Sequence, residues 1–173
     1  MDDVVARWTH KQWNVRAVYR PGSDPLVFSP VTQAAGFAFT RKGLLLVGRT
    51  KGSWKIPGGK IDRGEHPDDT FRREVMEELT CKVSLCACLG AQEIFIPGYS
   101  GRGGEHFFQL RYVGIIDEVL PIAPDPDKGV TWSRKFIEPK AFSSTVEWGA
   151  VADRFLQDAL ACFEHWKKTG NLH

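Results

Sequence analysis

The spacing of apolar residues changes several times along the chain, and each change marks an element. Residues 14–28 (NVRAVYRPGSDPLVF) alternate around a Pro-Gly-Ser-Asp cluster, which predicts short strands about a turn. AAGFAFTRKGLLLVGRT predicts two strands joined by a tight turn near Lys42-Gly43. WKIPGGKIDRGEHP carries isolated apolar residues among Gly58, Gly59 and Gly64 and predicts a loop. From Pro67 the period becomes helical. Proline suits a first helical position, Asp68 and Asp69 complement the helix dipole, and Phe71, Val75 and Leu79 share one face.

After this helix, KVSLCACLGAQEIFI and HFFQLRYVGII predict strands, separated by the glycine-rich PGYSGRGGE. DEVLPIAPDPDKG predicts a loop and VTWSRKFI a last strand. Ser144 and Glu147 have capping-box spacing and predict one long helix over roughly Thr145–Lys168, with Gly170 beyond its end. Its periodic residues, among them Trp148, Val151, Phe155, Ala159 and Phe163, read as a face that covers a sheet. The order of elements predicts an α+β domain, a mixed sheet with helices on both faces.

Composition narrows the partners. The chain has 173 residues, 42% hydrophobic and 25% charged, enough to bury a core without staples. Its 23 basic and 21 acidic residues leave a net charge of +2, which offers no broad electrostatic footprint for nucleic acid or an anionic membrane. The spacing of Cys81, Cys86, Cys88 and Cys162 matches neither a zinc ribbon nor a redox pair, so buried free thiols and a reducing compartment are expected. MDDVVARWTHKQW lacks the basic and apolar regions of a secretory signal, and GLLLVG is too short to span a bilayer. The expectation is a cytoplasmic protein.

The chemistry concentrates at residues 58–81, GGKIDRGEHPDDTFRREVMEELTC. Glu74, Glu77 and Glu78 share an arc of the helix away from the apolar face, with Arg73 at its edge. Like charges so spaced destabilise a helix by a few tenths of a kcal/mol per pair. The alternative is a solvated charged face. Against it stand the scarcity of basic partners beyond Arg72 and Arg73, the glycine loop that brings backbone carbonyls near, and the further carboxylate of Glu65. Oxygen donors clustered this way suit a hard divalent cation such as Mg²⁺ or Mn²⁺.

The same residues resemble the Nudix box, Gly-x5-Glu-x7-Arg-Glu-U-x-Glu-Glu-x-Gly-U, with U a bulky apolar residue. Gly59, Glu65, Arg73, Glu74, Val75, Glu77, Glu78 and Cys81 fill its positions in order. Thr80 stands where the pattern has glycine. A glycine there would end the helix in a left-handed conformation that strains threonine, so the turn at Cys81 is expected to shift.

The resemblance implies an α/β/α sandwich, a single domain over 1–173 with 1–33 as an N-terminal extension packed on the core. It implies hydrolysis of a nucleoside diphosphate linked to a group X. It assigns the carbonyl of Gly59 and the carboxylates of Glu74, Glu77 and Glu78 to the metal, Arg73 to orienting the glutamates, and Glu65 to supporting the loop. An extra catalytic acid is sought among Glu93, Glu105, Asp125 and Asp127. Arg49, Phe95, Tyr99 and Arg102 are candidates for substrate contact, against surface pairing or core packing. Residues 92–116 also resemble the matching stretch of GDP-mannose hydrolases. Those cleave at the sugar carbon and have an incomplete glutamate pair, whereas Glu77 and Glu78 are both present here; attack on phosphorus is therefore favoured. A nucleotide-sensing module on the same fold, an RNA-end hydrolase and a homodimer through residues 14–28 stay as alternatives to be tested.

Overall fold

The structure is a computed structural model that describes residues 3–172. Its strands are β1 (Val5–His10), β2 (Trp13–Pro21), β3 (Val31–Thr40), β4 (Leu45–Arg49), β5 (Gly58–Lys60), β6 (Cys81–Phe95), β7 (His106–Val119) and β8 (Ser133–Ile137). Its helices are α1 (Pro67–Leu79), α2 (Phe142–Val146) and α3 (Ala150–Thr169). The strands form one sheet in the order β1-β2-β6-β7-β3-β4-β8, with β5 also paired to β3. The β3–β7 pair is parallel and its neighbours are antiparallel, so the sheet is mixed. One helix layer covers each face, as expected of the sandwich.

Strand β3 shows how the two cores are divided. With a side-chain period of two, Ala35, Phe37 and Phe39 face α2 and α3, where they meet Phe142, Phe155 and Phe163. Ala34 and Ala38 face α1, with Phe71, Val75 and Leu79. That second face is lined by small residues. A Cβ on Gly48 would stand 2.3 Å from Leu79, and one on Gly114 2.8 Å from Phe71. Helix α1 therefore lies close to the sheet, and its acidic arc is held at a fixed height over β5.

Three differences from the sequence reading have physical causes. The single long helix is two. Glu147 (φ 51°) ends α2 and Gly149 (φ 89°) opens α3, while the Ser144 hydroxyl donates back to the Ala141 carbonyl instead of capping. The capping-box pattern is real in sequence but sits at the end of a helix. Second, β1 was not expected, and residues 22–28 hold a 3-10 turn at Pro25–Val27 rather than a strand. Within the segment expected as an extension, β1 and β2 form a hairpin that continues the sheet, with Arg16 opposite Phe95 and Val18 opposite Glu93. Third, Thr80 does adopt the left-handed conformation (φ 50°, ψ 43°), so the helix ends as the motif's glycine would end it. The four cysteines are free thiols, and no helix is long and apolar enough to cross a membrane among the described residues.

Candidate active site

Helix α1 begins with His66 at its N-cap, whose ring accepts from the Asp68 N–H, and Pro67 at its first position. One and two turns later the acidic arc meets β5. Gly59 is pressed against Glu74: a Cβ there would lie 2.1 Å from Glu74 Oε1. Gly58 (φ 152°) has no room either: a Cβ on it would lie 2.2 Å from Ala35 Cβ. Its N–H donates to Glu78 Oε2 at 3.1 Å. The glycine pair therefore lets the backbone of β5 touch the carboxylates directly.

Arg73 organises the arc. Its Nε and Nη2 grip Glu65 at 2.8 and 3.0 Å, and its Nη1 donates to Glu74 Oε1 at 3.0 Å and Glu77 Oε2 at 2.9 Å. Nη2 also reaches the Lys60 carbonyl at 3.2 Å. The Arg73 guanidinium, with the Thr70 hydroxyl and the Asp62 N–H, draws the Glu65 carboxyl down to about 2. Burial acts the other way on Glu77, which is raised against the pull of Arg73. It also pushes Glu78 up to about 7, despite Lys55 and the Gly58 N–H.

Glu74 is 5% exposed, and its Oε2 is buried without a hydrogen-bond partner. Facing it is Lys128, whose Nζ stands 3.6 Å from Glu74 Oε2, 3.6 Å from Glu78 Oε1 and 3.2 Å from Asp125 Oδ2. Asp125 is fully buried. Its Oδ1 accepts the N–H groups of Asp127 and Lys128. Burial opposes its ionisation, but these donors and the ammonium outweigh it and its pKa is lowered. Among the described residues no three carboxylate, imidazole or thiolate groups close around a point for a metal ion; the Lys128 ammonium holds the middle of the acidic face. A cation position bounded by carboxylate oxygens, one of them orphaned, and by a backbone that tolerates no Cβ fits a hard divalent ion. The cleft, of about 600 Å³, is lined by Gly59, Arg73, Glu74, Glu78, Asp127 and Lys128, among others.

Of the remaining candidates, Glu93 is taken up by Arg20 (2.6 Å) and His106 (2.8 Å), and Glu105 accepts the Gly98 N–H. Neither lines the cleft. Phe95 stacks on His106 beneath Arg16, and Tyr99 lies edge-on to Trp13; both belong with the N-terminal hairpin and not with the cleft. Arg102 reaches back to the Ile61 carbonyl, in the loop before α1. Arg49 lies over the ring of Trp54, 4.6 Å from its centre, and Trp54 lines a second cavity beside the cleft. Sequence reasoning missed Lys128, a lone cation inside a Pro/Asp loop, and Arg111, a charge in the middle of an apolar strand. The second anomaly was a visible signal.

This mixed sheet, the helix with its arginine-bound glutamates and the glycine strand beneath them fit the sandwich and the box read in the sequence. The model of the NUDIX domain matches residues 30–158, and the chain belongs to the Nudix family of hydrolases. Solved structures agree at the level of fold. A Bacillus subtilis pyrophosphohydrolase, BsRppH, superposes with TM-score 0.62 at 15% identity, covering 97% of this chain and 99% of that one. An Ap4A hydrolase of Caenorhabditis elegans gives 0.56 at 13%, covering 77% and 98%. A MutT structure, from work on the Aliivibrio salmonicida and Vibrio cholerae proteins, gives 0.52 at 14%, covering 75% and 94%.

Proposed function

We propose that this chain hydrolyses the diphosphate linkage of a small nucleotide substrate, a nucleoside diphosphate bonded to a further group X, by attack of water on phosphorus. Nucleotide-sugars, ADP-ribose and modified nucleoside triphosphates are the substrate classes considered. The observation that carries this reading is the Glu74 carboxylate, buried, seated on Gly59, with Oε2 free of hydrogen bonds and facing the Lys128 ammonium at 3.6 Å.

Glu74, Glu77, Glu78 and the Gly59 carbonyl would hold Mg²⁺ or Mn²⁺. When bound, such an ion neutralises phosphate oxygens and acidifies a bound water. The chain's own residues do the rest. Arg73 fixes three carboxylates at once, so their orientation survives their mutual repulsion. Glu65 in turn anchors Arg73 to the loop through two hydrogen bonds. Lys128 and Lys55 add positive charge to the lining of the cleft, where phosphate oxygens would come to rest. One of the glutamates, or Asp127 outside the box, which lines the same cleft, would take the proton of the attacking water. The free thiols support a reducing, cytoplasmic setting.

Turnover of nucleoside diphosphate derivatives in ¹⁸O-water with Mn²⁺ or Mg²⁺ tests the reading. Label is expected in a phosphate-bearing product. Label in a released sugar would instead place attack at carbon. Nucleotide binding without turnover would favour the sensing module.

A further inference from the structure

Arg111 lies in the middle of β7 and is 1% exposed. A guanidinium carries five N–H donors and no acceptor. Nη2 donates to Gln92 Oε1 at 2.7 Å and Gln109 Oε1 at 3.0 Å, and Nη1 to the Leu110 carbonyl at 2.9 Å. Nε has no partner. All its acceptors are neutral, and no carboxylate pairs with it among the described residues. Burial of a cation without a counter-charge is not repaid by such contacts, and an apolar residue of similar volume would serve the fold better. The charge calls for a use.

Its surroundings suggest one. Arg111 lies at the wall of a cavity of about 340 Å³, within the range of small-ligand sites. Trp54 and Trp148 line the same cavity, with the Arg111 guanidinium 4.8 Å from the centre of the Trp148 ring. Gln33, Lys55 and Gly58 border both this cavity and the cleft under α1. A molecule whose phosphates lie on the glycine strand therefore extends into the cavity through its next group. The break between α2 and α3, unforeseen in sequence, is what brings Trp148 there.

We infer that this cavity receives the nucleobase of the substrate and that Arg111 selects bases presenting a carbonyl-oxygen edge, such as guanine, hypoxanthine or uracil, over the amino-edge bases adenine and cytosine. The inference rests on the hydrolase reading only for the direction in which the substrate runs. Arg111 has donors to spare at Nε and Nη1. Gln109, whose carbonyl is turned to Arg111, has its amide N–H groups left. An acceptor edge satisfies these groups, whereas an exocyclic amine would set donor against donor around a buried charge. Arginine facing the O6 and N7 acceptors of guanine is a well-established pairing. The two indoles offer flat apolar walls that suit a neutral ring better than a doubly charged phosphate.

Calorimetric binding of GMP, UMP, AMP and CMP, with inorganic pyrophosphate as an anion control, tests this on the wild-type protein, Arg111→Met and Gln109→Leu. Wild type is expected to favour GMP over AMP and UMP over CMP by about tenfold or more. Arg111→Met is expected to bring both ratios near one by weakening the carbonyl-edge bases alone. If Arg111→Met does not fold, Gln109→Leu, which leaves the buried charge in place, is expected to weaken GMP several-fold and spare AMP. Equal affinities in wild type, ratios unchanged by the substitutions, or a loss in Arg111→Met confined to pyrophosphate would overturn the inference. Monophosphates have no diphosphate to cleave. Base selectivity can therefore stand if the hydrolase reading fails, and an active hydrolase without base preference would remove this inference alone.

Discussion

Arg134 Nη1 donates to the hydroxyl of Thr80, the residue that replaces the motif's glycine. The same guanidinium caps the end of α1 through the carbonyls of Leu79 (2.7 Å) and Thr80 (3.2 Å), and its Nη2 reaches the Leu120 carbonyl at 2.7 Å. A left-handed conformation costs a non-glycine residue roughly 1–2 kcal/mol. A hydrogen bond to a charged group returns roughly 1.5–3 kcal/mol. The two magnitudes overlap, which explains how threonine sits where glycine is the usual solution.

Substitutions at Thr80 therefore separate strain from bonding. Thr80→Gly is expected to lie within about 1 kcal/mol of wild type, since it loses both terms. Thr80→Val keeps the strain and loses the bond, and is expected to be destabilised by about 2 kcal/mol. Urea unfolding of both variants checks this order. A valine variant as stable as wild type would show that the Arg134 contact contributes nothing.

Arg73 and Glu65 give a pH dependence with a definite sign. The folded pKa of Glu65 is about 2, below the ordinary value of 4.5. Its contribution is therefore complete above pH 4.5 and disappears as pH falls toward 2. Because Arg73 is shared with other carboxylates and the pair is partly solvated, about 1 kcal/mol is expected. Glu65→Gln should show a flatter loss of stability between pH 5 and 2.5 than wild type, in denaturant titrations at each pH. Parallel curves would contradict the pairing.

Gly59→Ala tests the contact between β5 and the acidic face. The added Cβ would overlap Glu74 Oε1 at 2.1 Å, so the carboxylate or the strand must move. A displacement of about 1 Å lowers kcat/KM by about a hundredfold. Circular dichroism is expected to show an intact fold. Unchanged kcat/KM would mean that Glu74 is not held against this strand during turnover.

Lys128 pairs with Glu74, Glu78 and Asp125 on the acidic face, where the proposed function would seat a divalent ion. Lys128→Met is expected to lower the melting temperature of the metal-free protein by several degrees, about 1 kcal/mol for a partly buried ion contact. It should also enlarge the rise in Tm produced by Mn²⁺ compared with wild type. An equal metal-induced rise in both proteins would place the cation elsewhere.

Much of this was legible in the sequence because it is local. The two faces of α1 follow from the spacing of Phe71, Val75, Leu79 and the glutamates, and the box residues follow in fixed order. What stayed hidden depends on distant chain segments. The pairing of β2 with β6 and the parallel β3–β7 register join residues far apart in sequence, where periodicity carries no information. Ser144 and Glu147 misled because a cap pattern cannot tell a helix start from an end; Gly149, two residues on, was the better signal. Lys128 and Arg111 matter through what they face, and only the fold supplies that.

The most direct measurement is nucleotide or phosphate release from a panel of nucleoside diphosphate derivatives, with and without Mg²⁺ or Mn²⁺, for wild type and Glu78→Gln. The account predicts turnover that requires the metal and falls by at least about a hundredfold in the variant. Turnover that persists in chelator, or that Glu78→Gln leaves unchanged, would contradict it.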